Sequence, residues 1–158
     1  MLSAAERCIR QIPAGRLNER AIENRPRSIR QLGHHIFRIA EAFLEVAAEG
    51  AEYSLAAVNF QPKEEACTNA GEIAAYGDRV IERLKGWWAK LEDKSCRQNV
   101  KAFYGAPSLH RLLERSTWHS AQHARQLIAV LERLGIDPAA RLSPADLAGL
   151  PLPEGLWE

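Results

Sequence analysis

Leu109, Leu112, Ser116, His119, His123, Leu127, Val130 and Leu134 recur at intervals of three or four residues. At about 100° per residue they line one face of a single helix, opened by Pro107 and closed by Gly135 ahead of Pro138. Such a stripe is buried by packing against other helices, and the chain supplies them. One runs from Arg27 to Glu49, between Pro26 and Gly50, with Ile29, Leu32, Ile36, Ile39, Phe43 and Val46 on its apolar side. Another runs from Ala70 to Asp93 behind Asn69, a predicted cap with Glu72 three residues on, and carries Ile73, Tyr76, Val80, Leu84, Trp87 and Leu91. Gly77 and Gly86 lower its propensity, which suits a place where a neighbouring backbone comes close. A shorter helix over Ser3–Gln11, before Pro13 and Gly15, completes a four-helix bundle. The predicted class is all-α, with residues 1–137 as the bundle and 138–158 as a short C-terminal extension. In that extension Ser143 caps one further turn opened by Pro144, and its leucines and Trp157 favour packing back on the body. The Gly50–Thr68 link is long for a helical bundle and is expected to cross it or overhang a site.

The two histidines in the long stripe carry the chemistry. His119 and His123 are one helical turn apart, so their Cβ atoms lie roughly 5–6 Å from each other and both rings can reach one metal ion. The competing reading is a pair of core imidazoles satisfied by backbone, side chains or buried water. A third ligand has to come from another helix. On the Arg27–Glu49 wheel His35 sits about 90° from the apolar centre, at the core's edge, while His34 points almost directly away and is expected in solvent. His110 lies about 180° around its helix from His119 and is set aside. The predicted set is His35, His119 and His123, with Gln31 and Gln122 placed to orient a ligand or hold a water. Three imidazoles leave a coordination position open, the pattern of a catalytic ion that activates water or a thiol, and they suit zinc, nickel or iron. A zincin-type site is excluded because Ser120 stands where the general-base glutamate would be.

Composition removes other classes. With 21 Lys+Arg against 20 Asp+Glu in 158 residues, nothing favours nucleic acid or an anionic membrane surface. No apolar run approaches the roughly 18–20 residues that span a bilayer, and the first residues lack the apolar core of a signal peptide, so the expected location is cytoplasmic. Cys8, Cys67 and Cys96 are odd in number and widely spaced, which argues against a disulfide framework and a cysteine-based zinc site. Trp118 faces away from the histidines, where a lone bundle leaves it wet, and a homodimer contact is the expected cover.

Ser28-Ile-Arg-Gln-Leu-Gly-His-His35-Ile-Phe, followed far downstream by Trp118-His119-Ser-Ala-Gln-His123-Ala-Arg-Gln-Leu127, resembles the DinB/YfiT-like metalloenzyme superfamily over about Ser3 to Gly135. The resemblance implies a bundle with up-down-down-up connectivity, often dimeric, and a divalent metal on His35, His119 and His123. Characterised members of that superfamily include thiol-dependent S-transferases and a mycothiol-dependent isomerase, in which the metal activates a low-molecular-weight thiol. The expectation is therefore a metal-dependent thiol S-transferase or thiol-assisted isomerase acting on a small electrophile. The alternatives are a non-catalytic metal-binding interaction or sensor module, and a hydrolase using metal-bound water. The N-terminal helix is short for the family, and no residue matches a thiol-substrate pocket.

Overall fold

The computed structural model describes residues 1–22, 25–62 and 66–157. Among these residues it is helical without strands: α1 (Leu2–Arg10), α2 (Ile29–Glu49), α3 (Leu55–Val58), α4 (Ala70–Lys90), α5 (Leu109–Arg133) and α6 (Pro144–Leu147), plus a 3-10 turn over Ala14–Arg16. The all-α class read from the periodicity is the class observed. Helix starts follow local chemistry. Ser28 and Gln31 form a reciprocal capping box, so α2 begins two residues later than the position after Pro26. Asn69 accepts from the Glu72 amide at 2.9 Å, whereas the Glu72 carboxylate reaches past it to the Thr68 amide. Ser108, rather than Pro107, caps α5, and Ser143 caps α6 with Asp146 completing the box.

Each of α1 and α2 packs against both α4 and α5. At the helix crossings small residues admit large ones. A Cβ on Gly33 of α2 would come within 2.6 Å of Ile9 on α1. One on Gly77 of α4 would lie 2.6 Å from the Phe37 ring of α2, so it is a ring, not a backbone, that approaches Gly77. Phe37 is fully buried and has nowhere to go. Gly77→Ala should therefore destabilise the fold by about 1–3 kcal/mol, outweighing the roughly 1 kcal/mol that alanine adds to helix propensity. Urea denaturation checks this: a midpoint at or above wild type would mean that Phe37 can yield.

The expected solvent position of His34 is corrected by the structure. His34 is only 4% exposed and stacks on Tyr76 of α4 with ring centroids 4.7 Å apart. The polar side of α2 is covered, and its charged groups are paired beneath α3 and α4, while His34 Nδ1 is buried with no hydrogen-bond partner among the described residues. Arg38 donates to Glu41 at 2.8 Å, to Glu45 at 2.6 Å and to the Ala57 carbonyl at 2.6 Å. The Tyr76 hydroxyl donates to Glu41 at 2.5 Å, and Arg83 reaches the same carboxylate. A helix wheel reads this stripe as wet because it is charged, but its charges are paired under a roof.

That roof is the link between α2 and α4, of which residues 63–65 lie outside the described set. Its first part is pinned where the Tyr53 amide donates to the Lys101 carbonyl and the Phe103 amide to the Tyr53 carbonyl, both at 2.9 Å. Trp118 is half-buried by its own chain, with the Arg115 guanidinium 5.7 Å from its ring centre. The three cysteines are free. Cys8 is buried, donates to the Ala140 carbonyl at 3.3 Å and has its proton affinity raised by burial, so it is held as a thiol.

Candidate metal centre

His35 on α2 and His119 and His123 on α5 meet where these two helices pack. Their ring centroids are 5.6 Å apart for His35 and His119, 5.0 Å for His35 and His123, and 4.9 Å for His119 and His123. One nitrogen from each ring lies within 4.8 Å of the other two. The helices are pinned beside the cluster by Ser120, whose hydroxyl donates to the Ile36 carbonyl at 3.1 Å. Ser120 thus sits one residue beyond one histidine and binds the carbonyl one residue beyond another. His34 and the exposed His110 stand outside the cluster.

The ring nitrogens make a second point. His35 Nδ1 and His123 Nε2 are buried with no hydrogen-bond partner among the described residues. Buried polar atoms are normally paired, since an unpaired one costs about 1–3 kcal/mol. On His123 the other nitrogen is fully used, because Nδ1 lies 2.7 Å from Gln126 Oε1. Gln126 Nε2 donates to the Leu156 carbonyl at 2.9 Å, an atom that can only accept. The amide orientation follows, so Gln126 Oε1 accepts, His123 Nδ1 carries the proton, and Nε2 keeps its lone pair free. A divalent ion satisfies this donor set, and the residues present fit one.

All three rings are held neutral. Burial pushes His35 down to about 2, His119 to about 4 and His123 to about 3, and the Arg27 charge works in the same direction on each. Burial likewise lowers His34 to about 4. An unfolded histidine titrates near 6.5. Between that value and the folded ones the unfolded chain binds more protons, so stability falls as pH falls and is fully present above about 6.5. In metal-free protein the urea midpoint should be level above pH 7 and decline already between about pH 6.5 and 5, above the carboxylate range. A midpoint unchanged across that interval would contradict the burial of these rings.

The cluster opens into a cavity of about 340 Å³ whose wall includes Ile22, Arg25, Pro26, Arg27, Asn59 and Gln126 besides the histidines. Asn59 follows α3, so the expectation that the link overhangs a site is met at this point. A second cavity of about 300 Å³, between α4 and α5 at the start of α1, is lined mainly by apolar side chains and touches none of the three histidines.

Gln31 and Gln122, the expected helpers, are occupied elsewhere. Gln31 Oε1 accepts from the Ser28 amide in the α2 cap. Gln122 Nε2 donates to the Gly155 and Leu156 carbonyls, at 3.2 and 2.7 Å, and its oxygen accepts from Arg125. Arg125 also reaches the Pro153 carbonyl at 3.3 Å, so α5 holds the tail through side-chain donors to backbone. Gln126 was the residue to find: three positions after His123, it is on the histidine's own side of the helix.

A helical protein with three converging imidazoles at an open cavity is the class that fold and site define. The chain belongs to the DinB superfamily, a family of metal-binding helical bundles, whose pattern it matches over residues 2–127. No match is found among curated proteins or among solved structures. No described helix is long and apolar enough to cross a membrane.

Proposed function

We propose that the protein is a divalent-metal-dependent enzyme of the thiol S-transferase or thiol-assisted isomerase kind, with His35, His119 and His123 as its ligands. The observation that carries this reading is the pair of partnerless nitrogens, His35 Nδ1 and His123 Nε2, at the wall of an open cavity. A sealed structural site has no use for such an opening, whereas an open coordination position serves catalysis. When bound, the ion supplies Lewis acidity that lowers the pKa of a thiol at the open position.

The remaining work belongs to the chain. Neutral imidazoles bind the ion without competing protons at neutral pH. Gln126 fixes the His123 tautomer, and Ser120 keeps α5 in register with His35. Asn59, Ile22 and Pro26 complete the cavity wall beside the ligands.

The test is elemental mass spectrometry of untagged protein, followed by assay of the loaded form with small electrophiles, with and without thiol. Metal bound in stoichiometric amount together with thiol-dependent turnover supports the reading. Turnover without added thiol replaces it with a metal-dependent hydrolase, and bound metal with no turnover leaves an interaction or sensor module.

A further inference from the structure

Two guanidinium groups line the histidine cavity, and among the described residues no carboxylate does. Arg25 is exposed and donates to the Trp157 carbonyl at 2.8 Å. Arg27 is half-buried, and among the described residues its side chain has no acceptor. Its position is built rather than incidental. The Arg27 carbonyl accepts from the Ala21 amide at 3.0 Å, and two residues on the Ile29 amide donates to Glu19 at 2.9 Å, so the loop that presents it is tied at both ends. A half-buried guanidinium with unused donors carries a desolvation cost that a bound anion would offset.

We propose that Arg27 is the docking point for a carboxylate on the small molecule that reacts at the three-histidine centre, so that the cavity selects anionic substrates. The guanidinium fork matches a planar carboxylate through paired hydrogen bonds. A doubly charged phosphate would need more, and the α2 N-terminus offers no amide to it, because the Ile29, Arg30 and Gln31 amides donate to the Glu19 carbonyl, the Leu17 carbonyl and the Ser28 hydroxyl. At about 340 Å³ the cavity suits a small molecule with its reacting atom at the histidines and its acid group at Arg27. The reacting end of this inference rests on the function proposed above; the docking of the carboxylate does not require the ion. The carboxylate can reside on the thiol or on its electrophilic partner, and the experiment separates the two.

Full-length protein loaded with cobalt(II) is titrated with short ω-mercapto acids and with the corresponding neutral amides, following the sulfur-to-cobalt charge-transfer band. In parallel, metal-free protein is titrated with succinate and with succinamide, following Tm. Wild type should bind the mercapto acids at least about tenfold more tightly than the amides, or be stabilised by succinate and not by succinamide. A preference in the first arm puts the carboxylate on the thiol, and a preference confined to the second puts it on the electrophile. Arg27→Gln should abolish the preference in either arm, and Arg27→Lys should restore part of it. Equal response to acid and amide in both arms, or a preference that survives Arg27→Gln, overturns the assignment. Absence of the band with every thiol rejects thiol binding at the metal while the succinate arm still decides Arg27. An Arg27→Gln protein that fails to load cobalt is judged by that same arm.

Discussion

His35→Ala should lower bound metal from about one ion per chain to near none, with affinity reduced by more than about 100-fold, and thiol-dependent turnover should fall to background. The helices should survive. His35 is 1% exposed, so alanine leaves a small cavity, but it also removes a buried nitrogen that has no partner in the metal-free protein. These two effects oppose each other. The Tm of metal-free variant and wild type should accordingly lie close together, while the metal-loaded wild type stands well above both. Elemental analysis and paired melts with and without chelator read all three quantities. Full metal content in His35→Ala would remove this residue from the ligand set.

The second large effect is expected at a residue that touches no ligand. Arg38 is 6% exposed and holds two carboxylates of its own helix together with the carbonyl of Ala57. Arg38→Ala removes the counter-charge of Glu45 and leaves Glu41 to Arg83 and Tyr76 alone, and should cost about 3 kcal/mol in urea denaturation. By contrast, breaking the exposed Lys85–Glu82 pair should cost no more than about 0.5 kcal/mol. Hydrogen exchange should speed up first at α3, because the Ala57 tether is what seats that turn and, one residue beyond it, Asn59 over the histidines. A loss under about 1 kcal/mol would mean that both glutamates rehydrate freely.

How much of this was readable without coordinates depends on the kind of signal. The stripe from Leu109 to Leu134 encodes its helix directly, since its period is a property of the chain alone, and Asn69 and Ser143 announce their caps by local hydrogen bonding, whereas Pro26 masks the cap at Ser28. His119 and His123 follow from the same arithmetic, because i and i+4 on one helix need no tertiary knowledge. His34 was misread for the opposite reason. Charge along a helix face says that its residues need polar partners, and water is only one such partner; here Tyr76, Glu41 and Arg38 pair with one another, and the Tyr76 ring covers His34, which only packing reveals. Gly77 was seen as a close approach, but which group approaches depends on the rotation of α2 against α4. The glutamines show the limit most clearly. Gln122 and Gln126 are four positions apart on one helix, and which of them faces His123 was decided by the three-residue offset and by where the tail places its carbonyls. Arg27 gave no signal in a window of sequence, since having no acceptor among the described residues is a fact about the surrounding shell.

The contact of Gln126 with both His123 and the Leu156 carbonyl makes the far end of the chain a thermodynamic partner of the metal centre. A seated tail pre-orders the imidazole and so reduces the entropy lost when an ion binds. Reciprocity then requires that a bound ion hold the tail down by the same free energy. Occupancy of the centre should therefore be legible at a distance, in the exchange protection of backbone amides around residues 153–157, which touch no ligand atom at all. With the proposed ion bound, metal and tail would act as each other's effectors, with a single glutamine as the coupling element.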